Sequence, residues 1–383
     1  MRFEPNIRFD RANQYVRKIQ LKFETIQTQG IAMNPSSPSF LRSVSLGRTG
    51  LTVSEIGFGG IPIIRLSMPE AERVLNRAFE RGITFFDTAN AYKDSEQKMG
   101  RALHRARDQI VLATKSFRRD GNGVIADLEN SLRQLQTGCV DLFQLHQVSR
   151  EEEWQELSRP GGAVDRLLKA GEQGMIRFLG FSSHSLDMAR RLLQAGLFAT
   201  VQFPFNFIEQ EPLQDLFPEA EQAGLGILAM KPFAGGVIDD GPLAMTYLRQ
   251  HPEVMPLPGF DSEASVDQIV DLYANPAELD DSDRQRMDSY REELGQRFCR
   301  RCEYCLPCPN GVQITTAMAY PLIASRMAPS TAVGFARKAM ETVPLCEECG
   351  ECEDKCPYGL PITRMIRENY DLFEKHRADL EPI

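Results

Sequence analysis

The amino-acid sequence predicts an α/β protein in which a (β/α)₈ barrel is followed by a small cysteine-rich helical domain. Short apolar runs typical of strands alternate eight times with amphipathic runs typical of helices between residues 43 and 275. Alternation of this kind builds a parallel sheet, and eight units close it into a barrel. Beyond residue 295, eight of the nine cysteines fall in two tight groups, which indicates metal ligands rather than disulfides.

The composition is that of a globular protein without a membrane span. The chain has 383 residues, 42% hydrophobic and 25% charged, which is enough for a large barrel and a second small domain. No apolar run is long enough to cross a bilayer, and the first residues lack the apolar core of a secretion signal. A formal net charge of −9 argues against general affinity for nucleic acid. We therefore expect a cytoplasmic protein.

Three regions are expected along the chain. Residues 1–42 are interpreted as a flexible N-terminal extension, because a basic start leads into a loop rich in proline and serine at 34–39. An alternative is that the natural start lies downstream, at Met33. Residues 43–295 form the barrel, and residues 296–383 form the C-terminal domain.

The barrel elements follow one another in a regular order. Residues 83–86 are apolar and partly β-branched and follow the helix stop Arg81-Gly82, which predicts a buried strand. Similar runs predict strands at 109–115, 140–146, 176–183, 200–206, 226–231 and, more weakly, 256–259. Helical spacing of apolar residues predicts helices at 68–79, 95–106, 124–135, 163–172, 186–194, 215–222, from 243, and at 266–273. No G-x-G-x-x-G motif follows an early strand, which argues against a doubly wound nucleotide-binding fold.

The region after the barrel is predicted to be helical apart from the cysteine loops. A charged helix at 279–294 leads out of the barrel. A segment rich in Met and Ala at 313–342 separates the two cysteine groups, and the charged tail after Ile362 continues as a helix.

A short motif follows the strand at 83–86. Residues 87–92 read Asp-Thr-Ala-Asn-Ala-Tyr, at the carboxyl end of a strand, where parallel barrels carry their chemistry. An Asp and a Tyr at this spacing resemble the second-strand motif of the aldo/keto reductase family, and residues 46–60 resemble that family's hairpin and first strand. The resemblance covers residues 43–275. It matches the family's catalytic tetrad position by position, at Asp87, Tyr92, Lys115 and His146.

The resemblance implies proton donation to a carbonyl as hydride arrives, with Tyr92 as the acid in reduction and the base in oxidation. A free Tyr has a pKa of about 10, and the Lys115 cation would lower it. Asp87 would pair with Lys115, and His146 would orient the carbonyl oxygen. Taken singly, these residue types more often serve as rim charges, turn formers or packed histidines. Together at strand ends they indicate a reductase pocket.

The resemblance also implies a nicotinamide dinucleotide at the barrel mouth. Ser182 and Ser183 match the positions that hold the carboxamide, where the family commonly has Ser-Asn, and Gln202 matches a third partner. Phe205 falls near the aromatic ring that stacks on the nicotinamide. The segment 230–236, after the seventh strand, suits contact with pyrophosphate through Lys231, Gly235 and Gly236. The alternative for the glycine pair is an ordinary turn.

The adenosine end departs from the family pattern. Members that prefer NADP carry basic residues after the eighth strand to meet the 2′-phosphate. Here Gln268 stands where an Arg is expected, and Asp261 and Glu263 add negative charge. A phosphate gains nothing from that charge, so the choice between NADH and NADPH stays open.

The two cysteine groups have the spacing of ferredoxin loops. Three cysteines spaced C-x₂-C-x₂-C and a fourth followed by proline form the bacterial ferredoxin run. The second group fits this run, whereas the first is one residue short before its last cysteine. The groups are Cys299, Cys302, Cys305 and Cys308, and Cys346, Cys349, Cys352 and Cys356.

We therefore expect a ferredoxin-like domain with two [4Fe-4S] clusters. In two-cluster ferredoxins the fourth ligand comes from the other run, so Cys356 would complete the first cluster and Cys308 the second. The long helical separation resembles the α-helical ferredoxin type. The alternative is a pair of Cys₄ zinc sites, which usually use two C-x₂-C pairs. Cys139 is expected to be a buried apolar residue.

Barrel and tail together resemble a subgroup of aldo/keto reductases with a C-terminal 4Fe-4S domain, up to about residue 365. The main hypothesis is an NAD(P)H-dependent oxidoreductase that interconverts a small-molecule carbonyl and an alcohol. Its clusters would exchange electrons with a redox partner protein or serve structurally. The alternative is an iron–sulfur electron-transfer or redox-sensing protein whose barrel binds a nucleotide without carbonyl turnover. Hydride carries two electrons whereas each cluster takes one, so direct transfer from nicotinamide to cluster is the weakest step.

Overall fold

The computed structural model describes residues 41–295, 297–325 and 327–380, so most of the expected N-terminal extension lies outside the described residues. The described chain divides into two compact units. The first contains the residues up to Ala234 together with Asp240–Leu279. The second contains Gly235–Asp239 and the chain from Asp280 onward. Residues 280–295, which the sequence analysis counted with the barrel, thus group with the second unit.

The first unit contains an eight-stranded parallel sheet preceded by an antiparallel hairpin. The hairpin pairs β1 (Ser43–Ser45) with β2 (Thr52–Ser54). The sheet strands are paired in chain order. They are β3 (Phe58–Gly59), β4 (Phe85–Asp87), β5 (Val111–Ser116), β6 (Val140–Leu145), β7 (Ile176–Ser182), β8 (Thr200–Pro204), β9 (Gly226–Met230) and β10 (Val254–Pro256).

Backbone hydrogen bonds between the first and last strands close this sheet. The Gly57 N–H donates to the Pro256 oxygen at 2.9 Å, and the Gly59 N–H donates to the Pro258 oxygen at 2.7 Å. A parallel bridge also joins Gly59 and Gly259. The (β/α)₈ barrel that the sequence predicts is therefore confirmed. The eighth strand, β10, ends where the sequence analysis had it begin.

Nine helices of the first unit are described, one more than the sequence analysis expected. The additional one is α4, which begins with three glutamates that complement the helix dipole and buries Trp154 and Leu157. The helices are α1 (Met68–Glu80), α2 (Ser95–Leu103), α3 (Gly121–Gln134), α4 (Glu151–Ser158), α5 (Ala163–Glu172), α6 (Leu186–Leu193), α7 (Leu216–Gln222), α8 (Gly241–Arg249) and α9 (Glu263–Ala274).

Helix α1 shows how local sequence builds these elements. The Ser67 N–H donates to a carboxylate oxygen of Glu70 at 2.8 Å, which satisfies a donor at the helix start. Its apolar face is buried, as its helical spacing predicts, with Ala71, Val74 and Leu75 inside.

The hairpin covers the amino ends of the barrel strands. Leu46, Leu51 and Val53 belong to a core cluster with barrel side chains such as Val111, the first residue of β5. At the first residue of β9, a Cβ on Gly226 would lie 2.5 Å from the Leu46 side chain, so this close approach requires glycine. The opposite, carboxyl ends of the strands are left for the site.

The second unit is helical. The segment 313–342 is divided into three helices, because Pro321 and Pro329 lack the N–H that a continuing helix would need. Within the described ranges no helix is both long and apolar enough to cross a bilayer. The helices are α10 (Asp281–Gly295), α11 (Ile314–Met318), α12 (Tyr320–Ala324), α13 (Pro329–Met340), α14 (Glu351–Asp354) and α15 (Ile362–Ala378).

Candidate active site and cysteine loops

Four polar residues predicted for catalysis converge at the carboxyl ends of neighbouring strands. Asp87 ends β4, Lys115 lies next to the end of β5, and His146 follows β6 directly. The loop that carries Tyr92 is fixed to the next strand, since the Asn90 N–H donates to the Lys115 oxygen at 2.9 Å. Parallel pairing of successive strands brings residues that are distant in sequence to one mouth.

Lys115 and Asp87 form a buried ion pair. The Lys115 Nζ lies 2.6 Å from the Asp87 Oδ2 and also donates to the Thr88 oxygen at 2.6 Å. Lys115 is 1% exposed and Asp87 is 4% exposed. Burial raises the pKa of the Asp87 carboxyl, while the charge of Lys115 acts in the opposite direction. A buried charge of this kind requires its partner, so the two side chains depend on one another.

Tyr92 and His146 lie beside this pair. The Lys115 Nζ is 5.3 Å from the centroid of the half-buried Tyr92 ring. The Tyr92 and His146 rings meet edge to face, with centroids 5.8 Å apart. Burial lowers the pKa of His146 well below its ordinary value, and the charges of Lys115 and Arg119 act in the same direction. A neutral imidazole therefore faces the mouth at neutral pH.

Gln144 is a buried polar residue of this site that the sequence analysis missed. Its Nε2 donates to the Asp87 Oδ1 at 3.2 Å and to the Gln202 Oε1 at 2.9 Å. Gln202 in turn donates to the Asp87 Oδ2 at 3.4 Å. The available signal was a glutamine within the apolar strand β6, two positions before His146 and thus on the same face.

The structure brings the three predicted carboxamide partners together. Ser182 pairs in register with Gln202 on adjacent strands, and the Ser183 N–H donates to the Gln202 oxygen at 3.1 Å. All three side chains are buried. Hydroxyl and amide groups provide both donors and acceptors, a set that suits a carboxamide.

Phe205 does not join them. It is fully buried and packs against Phe217 of α7 at 5.1 Å and against Tyr247 of α8 at 5.7 Å, measured between ring centroids. This packing places the ring among helix side chains and does not support stacking on a nicotinamide. Phe117, by contrast, is 46% exposed, and its ring stacks on that of His146 with the centroids 3.9 Å apart.

The segment expected to contact pyrophosphate contains several residues with positive φ. Lys231 has φ 57° and Ala234 has φ 45°, and the Ala234 N–H donates to the Lys231 oxygen at 2.9 Å. Gly235 and Gly236 have φ 76° and 94° and group with the second unit. The structure therefore does not place all three predicted residues in the barrel unit.

The acidic residues after β10 form ion pairs with arginines that lie just before α1 and within it. Asp261 lies 3.3 Å from Arg65, and Glu263 lies 3.6 Å from Arg73. Both pairs are exposed, so each contributes little to stability. Their negative charges nevertheless stand where the family's phosphate-binding residues are expected.

The two cysteine loops share positive φ values at two equivalent positions. In the first loop Arg301 has φ 59° and Glu303 has φ 67°, and in the second loop Glu348 has φ 56° and Gly350 has φ 80°. These residues occupy the same positions relative to their cysteines, immediately before and immediately after the middle one. Turns of this kind direct backbone N–H groups into a concavity that suits anions, including iron–sulfur clusters.

The equivalence continues past the fourth cysteine of each run. The Gly311 N–H donates to the Cys308 oxygen at 3.1 Å, and the Gly359 N–H donates to the Cys356 oxygen at the same distance. Both glycines have positive φ, 77° and 59°. Helices α11 and α15 begin three residues after them. The second unit thus contains an internal repeat that the sequence analysis did not recognise.

The fourth cysteine of each run lies near the other run. One small cavity, partly open to solvent, is lined by Cys308 together with three cysteines of the second run. On the other side, the Arg300 guanidinium lies 3.8 Å from the ring centroid of Tyr358, two residues after Cys356. The residues that line the cavity include Cys305, Cys308, Cys346, Glu347, Cys349, Glu351, Cys352 and Thr363.

Several of the thiols lie close to one another and are partly buried. Burial raises the pKa of Cys302 to about 11 and that of Cys305 to about 12. Neighbouring thiols act in the same direction, Cys299 and Cys356 on Cys302, and Cys352 on Cys305. Thiolates packed in this way need bound metal to be stable. The donor set therefore fits iron–sulfur clusters.

Two further observations concern the cysteines. Within the described ranges no three Cys, His, Asp or Glu side chains surround one ion position. A cubane does not need that arrangement, because each of its thiolates binds a different iron. Cys139 is half-buried rather than buried, and burial raises the pKa of its thiol.

Comparison with known proteins identifies the family. The model of the aldo/keto reductase family matches residues 55–246, which include all four converging residues. The chain belongs to the aldo/keto reductase family. A second match, to a 4Fe-4S dicluster domain, covers residues 298–361 and thus all eight cysteines of the two loops. The protein is an oxidoreductase of this family with a C-terminal 4Fe-4S domain, as the sequence predicts.

The similar aldo/keto reductases include proteins of bacteria and plants. An uncharacterized oxidoreductase of Bacillus subtilis, YrpG, is 30% identical over 220 residues, covering 50% of this chain and 67% of that protein. L-Galactose dehydrogenase of Arabidopsis thaliana is 30% identical over 218 residues, covering 52% of this chain and 67% of the enzyme. The chain thus spans about two thirds of the length of these relatives.

Solved aldo/keto reductase structures show the same fold. The holo form of an enzyme from Bacillus halodurans superposes with a TM-score of 0.57 at 23% identity, covering 65% of this chain and 96% of that one. A Klebsiella pneumoniae aldo-keto reductase in complex with NADPH has a TM-score of 0.57 at 24% identity, covering 66% and 95%.

Proposed function

We propose that this aldo/keto reductase uses NAD(P)H to interconvert a carbonyl and an alcohol on a small molecule. The observation that carries the proposal is the buried Lys115–Asp87 pair beside the Tyr92 and His146 rings. A lysine that is held charged next to a phenol favours the phenolate and lowers the barrier to proton transfer. A barrel that only binds a nucleotide would not need Tyr92 or Lys115 for proton transfer.

Each residue of the tetrad has a distinct part. When bound, the nicotinamide cofactor supplies hydride in reduction and accepts it in oxidation. Tyr92 donates the proton to the carbonyl oxygen in reduction and removes it in oxidation. Lys115 favours the deprotonated form of Tyr92, and Asp87 keeps Lys115 in place. His146, neutral because its pKa is lowered, hydrogen-bonds the same oxygen and orients it.

The cofactor contacts are also part of the proposal. Ser182, Ser183 and Gln202 would hold the carboxamide, which is supported by their adjacent positions on β7 and β8. Lys231, directly after β9, would contact pyrophosphate. Asp261 and Glu263 would repel a 2′-phosphate, whereas their partners Arg65 and Arg73 would attract one, so the proposal includes both NADH and NADPH.

In the second unit we propose two [4Fe-4S] clusters, with each run completing the other's ligand set. The cavity shared by Cys308 and the second run supports this exchange, and so does the effect of Cys356 on Cys302. The positive φ values at equivalent positions of the two loops support two sites of one kind. The clusters would exchange electrons with a partner protein or stabilise the unit.

Anaerobically purified protein tests the proposal. We would follow NADH and NADPH oxidation with a panel of aldehydes and ketones, and record absorbance and EPR with each nucleotide before any carbonyl is added. Turnover with at least one carbonyl supports the reductase. Nucleotide binding without turnover on any member of the panel, with intact clusters, would instead favour an electron-transfer or redox-sensing role. Bleaching of the cluster absorbance by nucleotide alone would show that the barrel supplies electrons to the clusters.

A further inference from the structure

The two cysteine loops carry opposite charges at equivalent positions. Between its first and second cysteines the first loop has Arg300 and Arg301, whereas the second loop has Glu347 and Glu348. The equivalence is structural, because Arg301 and Glu348 share a positive φ of 59° and 56°. The two loops thus have matching positive-φ positions before and after the middle cysteine, and the side-chain charge before that cysteine is reversed.

We infer that these charges make the two clusters unequal, so that the cluster of the first run accepts an electron at a higher reduction potential than the cluster of the second run. The inference rests on the proposed two-cluster function and extends it to the order in which the clusters are reduced. It concerns charged residues that lie between the ligating cysteines and do not themselves bind iron.

The physical reason is the charge that reduction adds. Each electron makes a cluster more negative, so nearby arginines favour the reduced form and nearby carboxylates oppose it. Backbone N–H groups also favour reduction, and both loops have positive φ at the same two positions, so this contribution is present at both sites. The charges of the side chains therefore distinguish the two sites.

Neighbouring charges reduce this contrast without removing it. Arg367, from α15, lies 2.5 Å from Glu348, and Lys355 lies 3.1 Å from Glu351. Glu347 lines the cavity of the second run, and Glu353 directly follows Cys352 along the chain. These two carboxylates keep the second site acidic.

In the first loop, a carboxylate partly offsets the charge of the two arginines. Glu303 lies between its second and third cysteines and offsets one of the two arginines. Arg300 is held by its contact with the Tyr358 ring at 3.8 Å. One net positive charge therefore remains next to the first cluster.

Solvent exposure acts in the other direction. Cys349 of the second loop is exposed, whereas Cys302, its counterpart, is 9% exposed. Water stabilises the added charge of a reduced cluster and screens the carboxylates. Arg301 and Glu347 are each adjacent in sequence to a cysteine of their loop, and the inference is that their charges set the order.

A redox titration of the full-length protein tests the inference. EPR would be recorded across a series of potentials for the wild type, Arg301→Gln and Glu347→Gln, with iron and acid-labile sulfide measured for each. Glu341→Gln, an exposed carboxylate at the end of α13, is the matched control. We expect two reduction steps in the wild type. Arg301→Gln should lower the upper step alone, Glu347→Gln should raise the lower step alone, and the control should change neither.

Three results would overturn the inference. If the protein holds eight iron atoms per chain, the inference is wrong when the wild type shows a single reduction step. It is also wrong when Arg301→Gln shifts the lower step, or when neither variant shifts a step. Four iron atoms per chain would overturn the two-cluster proposal and this inference with it. The metal analysis therefore distinguishes the two failures.

Discussion

The Lys115 Nζ lies 2.6 Å from the Asp87 Oδ2 beneath the barrel mouth, and the two side chains are 1% and 4% exposed. A second bond from Lys115 to the Thr88 oxygen and two amide donors to Asp87 complete the arrangement. The pair is part of the barrel core as well as of the site. Changes to it are therefore expected to affect both stability and activity.

Removing one partner should cost more than removing both. Lys115→Met leaves the Asp87 carboxylate buried without its cation, which should lower the free energy of unfolding by about 3–5 kcal/mol. Adding Asp87→Asn should restore part of that loss but none of the carbonyl turnover. Denaturation followed by Trp154 fluorescence reports on the barrel, because the chain has one tryptophan and it lies in α4. A double variant less stable than Lys115→Met would contradict the ion pair.

Tyr92→Phe should abolish proton donation and leave nucleotide binding intact. We expect the kcat for carbonyl reduction to fall by about 10²- to 10⁴-fold, as for loss of a general acid. Nucleotide fluorescence titration should give an unchanged Kd. Tyr247→Phe, which removes a hydroxyl from α8, is the matched control and should keep its turnover. Normal activity of Tyr92→Phe would remove Tyr92 from the proposed role.

His146 should make the barrel less stable in mild acid. Its pKa is lowered in the folded state, so the unfolded chain binds the proton more readily. Stability should therefore fall as pH decreases through about 6.5, the ordinary His value, with a slope of up to about 1.4 kcal/mol per pH unit.

The slope between pH 7 and pH 5 should be smaller in His146→Gln than in the wild type, because His251, whose pKa burial also lowers, remains in both. Asp87 and Glu96, whose pKa values are raised, remain in both proteins, so the difference between variant and wild type isolates His146. Equal slopes in the two unfolding series would show that His146 does not titrate as argued.

Phe205 should matter for packing and not for cofactor. Phe205→Ala removes a ring packed between α7 and α8, which should cost about 3–5 kcal/mol of unfolding free energy. The nucleotide Kd of the folded variant should stay within about twofold of the wild type, a difference of less than 0.5 kcal/mol. A weaker Kd in a variant that keeps its stability would restore the stacking role that the sequence analysis gave it.

Cys349→Ser should remove one cluster and spare barrel turnover. Iron analysis should show a loss of about four iron atoms per chain, as for one [4Fe-4S] site. Cys139→Ser, a cysteine at the start of β6, is the control and should keep its full iron content. Loss of carbonyl reduction in Cys349→Ser, with the barrel still folded by Trp154 fluorescence, would mean that turnover depends on that cluster.

Several elements were predictable because their signals are local. The capping pair Ser67 and Glu70 starts α1, and the apolar spacing of its next turns gives its buried face. The prolines at 321 and 329 were present in the sequence, yet their division of the 313–342 segment into three helices was not recognised. Helix α4 was missed because its apolar face contains only Trp154 and Leu157.

The sequence alone determined the alternation that forms the barrel, the strand ends that carry Asp87, Lys115 and His146, and the cysteine runs, since each is a pattern of neighbours along the chain. Only the tertiary structure decided that Gln144 joins Asp87 to Gln202 and that Phe205 packs between helices. The positive φ values at equivalent positions of the two loops also came only from the structure. These features depend on contacts between distant residues. Such contacts form only when strands and helices pack, and no local spacing encodes them.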